Sequence, residues 1–359
     1  MAADARTPII IVYHADCVDG AACAWTVAKK HGVADKQDSS VTYIPYAHHD
    51  VAAAEEKIRA TLQPGAALHF VDVAPEKKFL DELMTPDESG RPKVKSISVD
   101  DHHESAAREL SDYKAPHSSG QQPALEITIR ESQHSAAHML WQKLMPDFAP
   151  PPVFDVINML DGDASGLKTP DDFAAAALVD SGDISTQEKA FNTLRGLAAL
   201  SFNEMAKRGG ALARDQETKI DRLLENASTI WLQVLPDAAP VQVVIVNADV
   251  KQFGRQISQR LLAAGEAAGS GVALAWFMQD NGAVTMSIRT DGDPSATDIA
   301  AHLRKTMGVT GGGHDGSGAV HFSSLTEFAR QMPFEHGTGM NSPEAEAVKT
   351  PKPVHRHFH

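Results

Sequence analysis

Short runs of β-branched residues alternate with amphipathic, alanine-rich stretches through the first half of the chain. PIIIVY (8–13) has the unbroken apolar character of a strand buried on both faces. The alanine-rich stretch from Gly20 to about Lys30 predicts the helix after it. VTYIPY (41–46), ALHFVDV (67–73) and VKSISVD (94–100) predict three more strands, with helices over 52–62 and 76–84 between them, and ALEITIR (124–130) a fifth. Strands alternating with helices at this spacing predict an α/β fold, a doubly wound parallel sheet.

PHSSGQQP (116–123) breaks the pattern as a loop, and APPP (149–152) precedes another helix, which carries NMLDGD. Residues 185–226 are helical in period and predict a connector between domains. Beyond it WLQVL, VQVVIVN, GVALAWFMQ and AVTMSIR predict strands, with a helix around 255–264. The expected organisation is a first domain over 1–184, the connector, a smaller α/β domain over 227–330 and a flexible tail over 331–359.

Composition narrows the function classes. A formal net charge of −14 argues against a broad basic surface for long duplex nucleic acid. It leaves room for a small phosphate ligand, because a pair of cations supplies positive charge locally. No run approaches the roughly 20 apolar residues needed to cross a bilayer, and the N-terminus lacks the basic start of a secretory signal. Cys17 and Cys23 are the two cysteines, which suits a reducing compartment, the cytoplasm. Both are expected to be small packing residues.

Three predicted strands end in acids or histidines. The first runs into His14-Ala-Asp16-Cys17-Val-Asp19-Gly20, the third into Asp72, and the fourth into Asp100-Asp101-His102-His103-Glu104. Ligands of open parallel sheets bind at the carboxyl ends of strands, so these residues are expected in one crevice. Asp161-Gly-Asp163 adds a further acidic pair. Taken singly, Asp72 suits a cap for the following helix, and Asp161 and Asp163 suit turn residues. Together they form a set of carboxylates that repel one another unless cations neutralise them. Carboxylates mixed with imidazoles favour Mn²⁺ or Mg²⁺, and paired metals about 3.5–4 Å apart are a common phosphate-cleaving device.

At Asp101-His102-His103 the chain resembles the DHH-superfamily phosphoesterases. HADCVDG (14–20), FVDVAP (70–75), VDDHHE (99–104) and LDGD (160–163) resemble that family's four motifs in order. SIRT (287–290) and GGGH (311–314) resemble its accompanying substrate-binding domain. The resemblance implies one metal on His14, Asp16 and Asp72 and a second on Asp19, Asp72, His102 and Asp161, with Asp72 bridging. It implies catalytic roles for Asp72, Asp101, His102 and His103, with His103 facing the substrate phosphate. Arg289, Gly311, Gly312, Gly313 and His314 are implied to hold the remaining substrate.

Two features depart from the family pattern. Cys17 and Val18 both separate Asp16 from Asp19, where one residue is usual, and Asp315-Gly316 follow GGGH where proline is common. The implied function is metal-dependent hydrolysis of short single-stranded oligonucleotides or small, including cyclic, nucleotides. Mn²⁺ is the first choice of cation and Mg²⁺ the alternative. Pyrophosphate or polyphosphate hydrolysis and a non-catalytic nucleotide sensor are the rival readings, and a homodimer is left open.

Overall fold

The structure is a computed structural model, and it describes residues 7–35, 38–47, 50–116, 120–130, 134–161, 166–313 and 316–332. His48, His49, Ser132, Asp163, His314 and the tail from residue 333 lie outside the described residues. The chain divides into two compact units, Met1–Lys219 with Gly254–Gln256, and Ile220–Phe253 with Ile257–His359.

The first unit begins β1 (Ile9–His14), α1 (Val18–Lys30), β2 (Val41–Tyr46), α2 (Val51–Thr61), β3 (Ala67–Val71), α3 (Lys77–Met84), β4 (Ser96–Asp101), α4 (Glu104–Leu110) and β5 (Ala124–Ile129). The strands form one parallel sheet in the order β2-β1-β3-β4-β5. Alternate side chains of β1 serve opposite cores. Ile9 and Ile11 join the layer containing α1, whereas Ile10 and Val12 pack with Phe79 and Leu80 of α3. Burial on both faces is why β1 is apolar without interruption from Ile9 to Tyr13.

Five helices complete the unit: α5 (Ala136–Leu144), α6 (Pro152–Asp161), α7 (Pro170–Asp180), α8 (Gln187–Ala198) and the first part of α9 (Phe202–Glu225). Ser135 caps α5, its side chain accepting from His138 N. Phe191 and Leu194 of α8 enter the same core as Trp25, Trp141 and Phe154. The helical stretch 187–198 is thus part of the first unit's core.

The second unit contains β6 (Ser228–Leu232), β7 (Val241–Asn247), α10 (Gly254–Ala267), β8 (Val272–Met278), β9 (Val284–Thr290), α11 (Ala296–Met307), β10 (Thr310–Gly313), β11 (Ser317–Phe322) and α12 (Leu325–Gln331). Its sheet runs β10-β11-β9-β8-β7-β6, antiparallel except between β7 and β8. Among the described residues no helix is long and apolar enough to cross a membrane.

Two neighbouring glycines of α9 separate packing from propensity. A Cβ on Gly209 would lie 1.8 Å from the Ala174 carbonyl oxygen of α7, whereas one on Gly210 would meet nothing closer than Arg214 Nη1 at 3.6 Å. Gly209→Ala is expected to destabilise the unit by about 1–3 kcal/mol through this clash. Gly210→Ala is expected to stabilise it by up to about 1 kcal/mol through helix propensity. Thermal melts of the two variants read the difference, and equal shifts contradict the packing.

His69 carries a second expectation. Its Nδ1 lies 2.8 Å from Ser98 Oγ. Burial, reinforced by the nearby His31 and Lys143 charges, holds its pKa down to about 4 from 6.5. Between those two values the unfolded chain binds a proton that the folded chain refuses, so stability falls as pH drops through that window. His69→Gln is expected to flatten that part of the stability–pH curve, measured by urea unfolding. An unchanged slope would remove His69 as the cause.

Candidate metal centre

The candidate residues gather at the carboxyl edge of the parallel sheet. His14 is the last residue of β1, and α1 presses directly against it: a Cβ on Gly20 would sit 2.3 Å from His14 O. Hydrogen alone fits there, and the close approach brings Asp19, in the first turn of α1, into the crevice. Asp72 follows β3 with φ +57°, a left-handed conformation that asparagine and aspartate tolerate best among residues with side chains. Its N–H donates to Asp100 O at 2.8 Å, which continues the tie to β4 past the last paired strand residue. Asp72 does not cap the next helix, whose N-cap is Glu76. Asp101 ends β4, His102 and His103 follow it, and Asp161 is the last residue of α6.

Asp72 is 1% exposed and lies between two imidazoles. Its Oδ2 is 3.4 Å from His14 Nδ1, and its Oδ1 is 3.3 Å from His102 Nε2. His102 Nε2 also lies 3.1 Å from Asp161 Oδ2 and 3.9 Å from Asp19 Oδ2. Neither Asp72 oxygen, nor His102 Nε2, finds a well-formed hydrogen bond although all three atoms are buried. Buried polar atoms are seldom left in this condition without a ligand to meet them.

The electrostatics ask for a cation. Burial, together with the charges of Asp72 and Asp161, pushes the Asp19 carboxyl well above the ordinary range. Burial pushes Asp72 the same way, but contacts with His102 and His14 outweigh it and hold this carboxyl low. Burial opposes a charge on His102, yet Asp161, Asp72 and Asp19 raise its pKa to about 11. A proton on His102 therefore offsets part of the crowding of carboxylates. A divalent cation does the same more completely, displacing protons as it binds.

Three sets of donor atoms each lie within 4.8 Å of one another: His14, Cys17 and Asp72; Asp72, His102 and His103; and Asp19, Asp72, His102 and Asp161. Asp72 belongs to all three. Oxygen and imidazole donors in this mixture fit hard or borderline divalent ions. Asp16 is in none of the sets, and its backbone is left-handed with φ +54°. Cys17, the N-cap residue of α1, stands beside His14 and Asp72 instead and is half-buried, whereas Cys23 is packed in the core. The packing role expected for Cys17 is thus incomplete. Cys17 stands at the corner where the chain enters α1.

The supporting contacts were less visible in the sequence. Asp101 Oδ1 accepts from His102 N at 2.7 Å and from His103 N at 3.2 Å, and lies 2.7 Å from His103 Nδ1. It thereby fixes His103 rather than joining the donor sets. Burial works against a charge on His103, but Asp101 and Asp72 raise its pKa overall. Asp100 turns away to Lys143 Nζ at 2.6 Å. Asp19 Oδ2 and Oδ1 accept from Ala136 N and Ala137 N, at 2.8 and 2.9 Å, so this buried carboxylate also caps α5. Asn158 Oδ1 accepts from Ser135 N at 2.8 Å and steadies the same turn. Ser135 and Asn158 are the residues that motif reading missed; Asn158, one turn before Asp161, was the available signal.

In the second unit, Arg289 of β9 donates from Nε to Ser258 Oγ at 2.9 Å and from Nη1 to Ile288 O at 2.8 Å. Gly311, Gly312 and Gly313 lie in β10 rather than in a turn. Gly311 has φ +145°, and a Cβ there would meet Ala319 O at 2.2 Å, so strand packing requires glycine. Gly312 is different: a Cβ would meet nothing within 4 Å.

No family model matches the chain, and no curated protein matches it. Solved structures do resemble it. A DHH domain from a protein described as a member of a ribosomal-protein family is 16% identical, with 90% of this chain and 86% of that one covered at a TM-score of 0.45. A pGpG-specific phosphodiesterase from Vibrio cholerae is 14% identical, with coverages of 90% and 96% and a TM-score of 0.45. An exonuclease RecJ bound to manganese is 13% identical, with coverages of 89% and 87% and a TM-score of 0.43. At this level of likeness the chemistry must be read from the chain's own side chains.

Gly20→Ala tests how the centre is assembled. Moving α1 away from His14 displaces Asp19 and Cys17 with it, so Mn²⁺ affinity is expected to fall at least about tenfold while the fold persists. Isothermal titration with Mn²⁺ beside a far-ultraviolet circular dichroism spectrum makes the comparison. Unchanged affinity in a folded variant would mean that the helix does not set the site.

Proposed function

We propose that this chain is a divalent-metal-dependent phosphoesterase of the DHH superfamily, cleaving phosphodiesters in short oligonucleotides or small nucleotides. The observation that carries the reading is Asp72, buried and without a good hydrogen bond at either oxygen, set between His14 and His102. In this reading His14, Asp72 and Cys17 or Asp16 would hold one cation, and Asp19, Asp72, His102 and Asp161 would hold the other. Mn²⁺ is the favoured ion.

The two cations, when bound, supply Lewis-acid activation of water and neutralise charge on the phosphoryl oxygens. The protein's residues do the rest. His103, held by Asp101, presents its imidazole to the phosphate and donates to an oxygen that gains charge in the transition state. Asp101 is a positioning residue: its hydrogen bond fixes which ring nitrogen carries the proton toward it. Asp19 fixes the α5 end of the crevice through two backbone N–H groups and would also be among the residues that hold a cation. In the second unit Arg289 and Gly312 would suit a phosphate group, the arginine through its planar fork and the glycine because packing leaves its backbone open. The chain's acidity favours short substrates over long polymers.

The test is hydrolysis of pApA, cyclic AMP and pyrophosphate with Mn²⁺, wild type beside His102→Ala. Cleavage of pApA or cyclic AMP, reduced at least about a hundredfold in the variant, is the expected result. Phosphate released from pyrophosphate alone would favour the pyrophosphatase reading. Metal binding with no cleavage of any substrate would leave a nucleotide-binding sensor.

A further inference from the structure

Two of the three donor sets at the centre draw on aspartate and histidine alone. The third contains a sulfur: His14, Cys17 and Asp72 bring one donor atom each within 4.8 Å of one another. Cys17 is half-buried at the start of α1. It is absent from the apolar residues packed around the neighbouring core, to which Cys23 belongs. Its neighbour Asp16, with φ +54°, is exposed and belongs to none of the sets.

Asp72 supplies an independent sign that a ligand sits beside this sulfur. It is 1% exposed, neither of its buried oxygens has a well-formed hydrogen bond, and it shares a donor set with the thiol. Burial, with the charges of Asp72, Asp161 and Asp19, pushes the Cys17 thiol well above its ordinary range, which disfavours a free thiolate nucleophile. Coordination is another matter, because a thiol bound to a divalent cation gives up its proton.

We propose that Cys17, rather than Asp16, is the third protein ligand beside His14 and Asp72, and that it makes this half of the centre selective for a thiophilic divalent ion, Zn²⁺ before Mn²⁺. The proposal rests on the two-cation reading of the centre. A thiolate is the softest donor in the crevice, and softness sorts Zn²⁺ and Co²⁺ from Mn²⁺ and Mg²⁺. One nitrogen, one sulfur and one oxygen leave a position open for water, as in catalytic rather than structural zinc sites. The other half, Asp19, Asp72, His102 and Asp161, offers three carboxylates and one imidazole, which suits Mn²⁺. The two halves therefore differ in kind, with Asp72 common to both. Mn²⁺ in excess still enters the Cys17 half, but less tightly than Zn²⁺.

The experiment titrates the full chain, stripped of metal, with Co²⁺ and follows near-ultraviolet and visible absorption, wild type beside Cys17→Ser and Asp16→Asn. Serine is a preferred N-cap, so Cys17→Ser is expected to fold, as circular dichroism checks. Wild type is expected to show an intense sulfur-to-cobalt charge-transfer band that Cys17→Ser loses and Asp16→Asn keeps. In competition titrations the preference for Zn²⁺ over Mn²⁺ is expected to fall at least about tenfold in Cys17→Ser. X-ray absorption of wild type with one equivalent of Zn²⁺ needs no variant: a sulfur neighbour at about 2.3 Å is expected. A bound ion with nitrogen and oxygen neighbours only, or a charge-transfer band that survives in Cys17→Ser, overturns the proposal and leaves the two-cation centre standing. Calorimetry that detects no binding of any divalent ion overturns both.

Discussion

Everything at the sheet's carboxyl edge depends on how Asp72 is held. A carboxylate 1% exposed, in a left-handed conformation and between two imidazoles, is costly for a fold to maintain. β3 delivers it, and the N–H bond to Asp100 O pins it to β4. His14 and His102 approach its two oxygens from neighbouring strands on either side. Asp19 and Asp161 then crowd His102, and their charges help to raise its pKa. A divalent cation resolves all of these conflicts at once, which is the physical case for a metal centre.

The sheet itself was legible in the sequence because β-branched runs alternate with amphipathic helical stretches, and β1, buried on both faces, leaves an unbroken apolar run. The five parallel strands and β7, β8 and β9 of the second unit fall where those runs predict, whereas β6 (Ser228–Leu232) starts three residues before the WLQVL run at 231–235. The edge residues were legible for a related reason: His14, Asp72 and Asp101 interrupt apolar runs at their ends. What the pattern did not carry is local geometry. Asp16 and Cys17 are adjacent, and only the turn into α1 decides which of them stands next to His14 and Asp72. Asp101 resembles a ligand by composition, but its carboxylate faces backward to the amides and ring of the two histidines. Ser135 was out of reach because its importance comes from a long-range contact with Asn158.

The glycines of the second unit give the same lesson in reverse. The run from Gly311 to Gly313 suits a turn when read alone, yet it forms an edge strand. Packing against β11 accounts for Gly311 and leaves Gly312 unexplained by structure. That residue is where a functional cause has most room.

The central claim is that Asp72 bridges two divalent ions. Electron paramagnetic resonance of the protein titrated with Mn²⁺ addresses it directly, by counting bound ions and detecting exchange coupling between them. The account predicts two ions per chain with a coupled signal, and loss of the coupling in Asp72→Asn. A single bound ion, or two ions that give uncoupled spectra in the wild type, would contradict it.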